Sequence, residues 1–213
     1  ILLIVAYFLV LYALIFSKKG LKLIWIILFA LLLAAAIYLL NPYNRIYSYH
    51  GFIHTAIVYQ ILNGEIPPHN PFLAGMPLFY YWGYHFLASG ATKFLDISPF
   101  FSFALINTVS FLFAILLIYK ISELLIKDTA SNSFSALICL LGTSIIAHTG
   151  VPVFEKITNI NGIPLGLVFF LLFLFSTIKI LEVKKLGFFP LLFFVSVLGC
   201  GFFYPGMLIG IFV

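Results

Sequence analysis

Solid apolar runs of about twenty residues, separated by short polar punctuation, decide what this chain can become. They fall at 1–17, 21–40, 99–126, 133–149, 163–182 and 187–213, with Ser17-Lys18-Lys19-Gly20, Lys127 to Asn132 and Val183 to Leu186 between them. A backbone in hydrocarbon must satisfy its own hydrogen bonds, and a run of this length does so as a helix. An outer-membrane barrel would instead alternate apolar and polar residues in short segments. Charged residues make up 8% of the chain and mean hydropathy is +1.21, against roughly 25% charge in soluble domains. The expected fold is all-α: a polytopic transmembrane helical bundle with about six spans visible, one membrane domain over 1–213. Because the chain opens and closes in mid-run, it reads as the N-terminal part of a longer protein.

Lysines set the sides, since cytoplasmic loops collect Lys and Arg. Lys18, Lys19 and Lys22 place the first loop inside, and Lys120 with Lys127, then Lys179, Lys184 and Lys185, mark two more inner loops. The stretches 41–98 and 150–162 then face the opposite, extracytoplasmic side. Leu78 to Leu95 is apolar enough to be a further span, but counting it would move Lys120, Lys127, Lys184 and Lys185 outside. It also carries Tyr80, Tyr81, Trp82, Tyr84 and His85, residue types that favour the membrane interface. The expectation is a juxtamembrane or re-entrant helix on the outer side, within a plasma-membrane protein. A net charge of +5 is too sparse and scattered to argue for nucleic acid; membrane lipids are the expected partners.

The segment 41–98 holds four of the five histidines (His50, His54, His69, His85) and seven of the twelve tyrosines. Unpaired polar groups are costly in lipid, so this wet, aromatic island is where a site is expected. A helix is predicted from about Ile46 to Asn63, ended by Gly64 as a left-handed cap. His50 and His54 lie four apart on one face, a spacing that lets two imidazoles share a divalent metal ion. No HExxH glutamate lies between them, so His69, His85 or Glu65 would have to complete the shell. The bland alternative is hydrogen bonding at a wet interface.

Pro67, Pro68 and Pro71 stiffen the following loop and hold Glu65, His69 and Asn70 in place, with Gly75 allowing a turn. Glu65 is the one acid before Asp96, so it is a candidate base if the interface raises its pKa; otherwise it is a solvated turn carboxylate. Tyr80, Tyr81, Tyr84 and His85 offer ring faces and donors to a sugar or a headgroup, and equally suit an aromatic belt. Arg45 and Lys93 can pair with a phosphate or snorkel to headgroups. Elsewhere, Cys139 and Cys200 read as buried thiols, His148 as an interfacial histidine, and Glu155-Lys156 as solvated surface. Tyr204-Pro205-Gly206 breaks the last run, which either kinks the helix or lines a cavity.

The string HGFIHTAIVYQILNGEIPPHNPFLAGMPLFYYWGYHFLA, after an early span, resembles the corresponding outer loop of the polytopic C-type glycosyltransferases. These include the polyprenyl-phosphate-sugar-dependent protein mannosyltransferases and related bacterial and archaeal integral membrane proteins. FFSFALINTVSFLFAILLIYKISELL is similar to the span that follows, so the likeness covers roughly 50–130, with weaker agreement through Tyr204-Pro205-Gly206. The resemblance implies sugar transfer from a polyprenyl-phosphate donor on the extracytoplasmic side. It also implies a first-loop Asp or Glu, whereas the matching neighbourhood here is Tyr47-Ser48-Tyr49-His50-Gly51, without a carboxylate. Either His50 or His54 substitutes as base, or Glu65 reaches the site, or the chain is a non-catalytic member. A transporter or lipid-carrier flippase is the competing class. It would carry acids at mid-membrane, and here every acid sits in a loop or near a span end.

Overall fold

The computed structural model describes residues 49–73, 75–125, 162–182 and 187–206. Among the described residues five helices are formed: α1 (Tyr49–Leu62), α2 (Gly83–Leu95), α3 (Pro99–Leu125), α4 (Ile163–Glu182) and α5 (Phe189–Phe203). Among the described residues the only β feature is one antiparallel bridge between His69 and Pro77. The all-helical expectation therefore holds. Among the described residues two helices, α3 and α4, are long and apolar enough to cross a membrane. The runs 1–17, 21–40 and 133–149 lie outside the described residues.

Within the run 187–213 the described residues form one helix, α5, which ends at Phe203. Its fifteen residues, Phe189–Phe203, span about 23 Å at 1.5 Å each, short of a roughly 30 Å hydrocarbon core. The break has a local cause. Pro205 disfavours helical backbone in the residue before it, and Tyr204 is extended at φ −154° and ψ 84°.

Other boundaries also follow local chemistry. The α1 C-terminus is a Schellman motif: Glu65 N–H bonds the Gln60 carbonyl and Gly64 N–H the Ile61 carbonyl, both at 3.0 Å. That geometry needs a left-handed residue, which Gly64 supplies at φ +91°. Gly75, at φ +79°, makes the expected loop turn. At the start of α3, Ser98 accepts from Phe101 N–H at 3.4 Å and Pro99 occupies the first helical position, where a missing N–H costs nothing.

Packing places these helices at defined levels. Helices α3, α4 and α5 share a core that includes Phe113, Ala114, Leu117, Val168, Phe169, Leu172, Leu192 and Cys200. Gly199 lets α5 approach α4 so closely that a β-carbon there would run into the Phe169 ring. Helix α2 descends antiparallel along the first turns of α3: Thr92 Oγ1 meets Ser102 Oγ at 2.7 Å, and Tyr84 O–H donates to Asn107 Oδ1 at 2.8 Å. Asn107 is eight residues into α3, about 12 Å along its axis. The same level holds the start of α4 and the end of α5. A β-carbon on Gly162 would lie 3.4 Å from Tyr84 Cβ and 2.8 Å from the Phe203 carbonyl oxygen. Thus α4 and the last eighteen or so residues of α3 run side by side as segments of span length, and the first two turns of α3 project beyond them. Helix α2 stands along that projection, its N-terminal end at the boundary and Lys93 toward the far end. The Lys120–Glu123 and Lys179–Glu182 ion pairs, at 2.9 and 3.2 Å, mark the opposite ends of α3 and α4.

Candidate functional site

At the level where α4 begins, α1 and α2 bring two histidines together. His54 Nδ1 lies 2.6 Å from His85 Nε2, and the rings stack with centroids 4.8 Å apart at 20°. Both are buried, His85 completely. Phe103 of α3 closes one side, its ring 6.2 Å from His54 and 6.0 Å from His85. Tyr80 closes another, 5.9 Å from each. Tyr84 stacks on Phe103 at 5.1 Å and is pinned by Asn107.

Burial first, then the neighbouring His54, pushes the His85 pKa down to about 3. His85 is therefore neutral at physiological pH, with one ring nitrogen protonated and one bare. The Trp82 backbone acts in the opposite sense, as a carbonyl near a ring N–H does, although no group reaches Nδ1 with hydrogen-bond geometry. That carbonyl already accepts Phe86 N–H at 2.9 Å, which explains its weak hold. Across the 2.6 Å contact one ring donates and the other accepts; with the shared proton on His54 Nδ1, the His54 lone pair is at Nε2, as in an oriented imidazole base.

Around the pair stands a set of phenols. Tyr80 O–H donates to Tyr81 Oη at 3.0 Å, their rings stacked at 4.1 Å. Tyr81 in turn meets the Tyr204 ring edge-on at 5.1 Å, joining the island to the broken end of α5. Burial, then the neighbouring phenols, raises the Tyr81 pKa, and burial raises that of Tyr80 and Tyr84. All three remain protonated at neutral pH, as hydrogen-bond donors.

The structure sorts the sequence candidates into two groups. His54, His85, Tyr80, Tyr81 and Tyr84 converge. Glu65 and His69 do not: both are exposed on the loop, and the backbone of Glu65 stays with the Gln60 carbonyl, about 9 Å along α1 from His54. Asn70 uses Oδ1 to accept from Phe72 N–H at 3.0 Å, an Asx turn that shapes its own loop. His50 lies in the first turn of α1, one turn before His54, and only its backbone is described. Arg45 lies outside the described residues.

A metal held through His54 and His85 does not fit. Two imidazole nitrogens on one tetrahedral zinc, each about 2.0–2.1 Å from it, are about 3.3 Å apart, whereas these are 2.6 Å apart. Among the described residues no group of three His, Cys, Asp or Glu side chains could hold an ion. Two contributors are absent from the sequence candidates. Asn107 had a signal, as an amide inside an apolar run; Phe103 had none, being one phenylalanine among 26. No known family model, curated protein or solved structure matches this chain.

Proposed function

We propose that this chain belongs to a polytopic membrane glycosyltransferase of about six or more spans, acting on a polyprenyl-phosphate-linked sugar at the extracytoplasmic face. The observation that carries this reading is the buried His54–His85 pair, walled by tyrosines, at the level where α4 begins. It supplies what the likeness in loop sequence otherwise lacks, a base in a chain with no carboxylate in the Tyr47-Ser48-Tyr49-His50-Gly51 neighbourhood. In the reaction, His54 Nε2 takes the acceptor hydroxyl proton as the acceptor oxygen attacks the anomeric carbon. The bond from that carbon to the phosphate oxygen breaks, and the lipid phosphate leaves with the electron pair. The Tyr81 and Tyr204 hydroxyls are donors to sugar hydroxyls or to the developing charge on the phosphate, with Tyr80 O–H orienting Tyr81. His85 holds the His54 tautomer.

The test is turnover of tritiated mannosyl polyprenyl phosphate in membranes carrying the full chain. A positioned general base is worth about 10²- to 10⁴-fold, so His54→Gln loses that much while Lys179→Ala, at the opposite end of α4, keeps wild-type turnover. Unchanged turnover in His54→Gln refutes the assignment. A flippase is the second reading, favoured by one feature: the carbonyl ends of a broken helix at Phe202 and Phe203, facing Gly83 and Gly162. Lipid-linked sugar crossing proteoliposomes without being consumed would support it instead.

A further inference from the structure

We propose that the loop from Asn70 to Phe79 seats in the interface of the bilayer that α3 crosses, with Leu73, Met76 and Phe79 as its lipid contacts. The loop has a built shape. His69 bridges Pro77, Asn70 N–H bonds the Met76 carbonyl at 3.0 Å, and Met76 N–H bonds the Leu73 carbonyl at 3.1 Å. Its apolar side chains nevertheless point outward: Leu73 is 54% exposed, Met76 49% and Phe79 87%. An ordered hairpin that holds large apolar groups away from its own protein is built to contact something else.

Three observations identify that contact as lipid. First, the 27 residues from Ile66 to Thr92 contain no Asp, Glu, Lys or Arg, as contact with lipid requires, because ionised side chains are costly there. Second, the loop ends in Tyr80-Tyr81-Trp82, the residue types that settle at the headgroup level. Third, position is fixed. The Tyr81 ring lies 5.1 Å from Tyr204 at the end of α5, which stands level with the start of α4. At no more than about 3.6 Å per residue, Phe79 lies within about 7 Å of Tyr81 and Met76 within about 18 Å. The first charged residue after the loop, Lys93, lies at the opposite, outward end of α2. This inference does not depend on the transferase reading.

Single cysteines at Leu73→Cys, Met76→Cys, Phe79→Cys and Lys93→Cys, in the full chain with Cys139→Ala and Cys200→Ala, carry an environment-sensitive fluorophore in phosphatidylcholine nanodiscs. The first three are expected to show blue-shifted emission and loss of intensity with lipid spin-labelled near the headgroup, and little loss with aqueous iodide. Lys93→Cys shows the reverse. Iodide quenching at 73, 76 and 79 equal to that at 93 overturns the proposal. So does excimer formation between pyrenes at 76 without lipid quenching, which marks a second copy, or protection from both quenchers, which marks cover by the chain itself.

Discussion

Protonating His85 should loosen the packing of α1 and α2 on α3, and the His85→Gln variant isolates the effect. Folding holds this imidazole neutral, lowering its pKa from 6.5 to about 3. A basic group with a depressed folded-state pKa contributes its stability above the unfolded pKa and loses it as pH falls from about 6.5 toward 3. With these two values the loss between about pH 7.5 and pH 5 is about 2 kcal/mol, and the full shift is worth about 5 kcal/mol. Glutamine matches the imidazole in length, can place a donor or acceptor near the Nε2 position, and does not titrate in this range. The assay is unfolding of the full chain by SDS in mixed micelles, followed through tryptophan emission, to which Trp82 contributes from the residue preceding α2. Wild type should lose about 2 kcal/mol between about pH 7.5 and pH 5, and His85→Gln should lose less than half of that. Equal losses would refute the argument, because the proton would then be entering elsewhere.

Other outcomes follow from the packing. Gly199→Ala drives a β-carbon into the Phe169 ring and should cost about 1–3 kcal/mol in the same unfolding assay. Gly90→Ala, where nothing lies within 4 Å, should stabilise α2 by about 0.5–1 kcal/mol. Tyr84→Phe removes the donor to Asn107 at 2.8 Å and should cost about 1–2 kcal/mol, with the His54 ring signals in an NMR spectrum shifting little if Tyr84 only braces the site.

Much of the backbone was legible because its causes are local. Ser98-Pro99 starts α3, Gly64 ends α1, and Pro205 stops α5 through sterics that act within a few residues. The Tyr204-Pro205-Gly206 break was legible for the same reason, and α5 ends at Phe203. The site was legible in inventory only. His54, His85, Tyr80, Tyr81 and Tyr84 all stood out as polar or aromatic groups in an apolar chain, but so did Glu65, His69 and Asn70, which the fold leaves on the loop.

The sequence by itself determined that this chain is helical and carries helices long and apolar enough to cross a membrane, because length of apolar run and backbone hydrogen bonding suffice for that. It also marked the 41–98 island as the wet part. Only the tertiary structure decided which histidine meets which. The four-residue spacing places His50 and His54 on one helix face, but it gives no sign that His54 meets His85, 31 residues away, as it does because α1 and α2 both pack on α3 around Phe103. That crossing depends on which faces are buried together. It also buries His85 deeply enough to keep the ring neutral, a property that comes from desolvation and not from any neighbour in sequence.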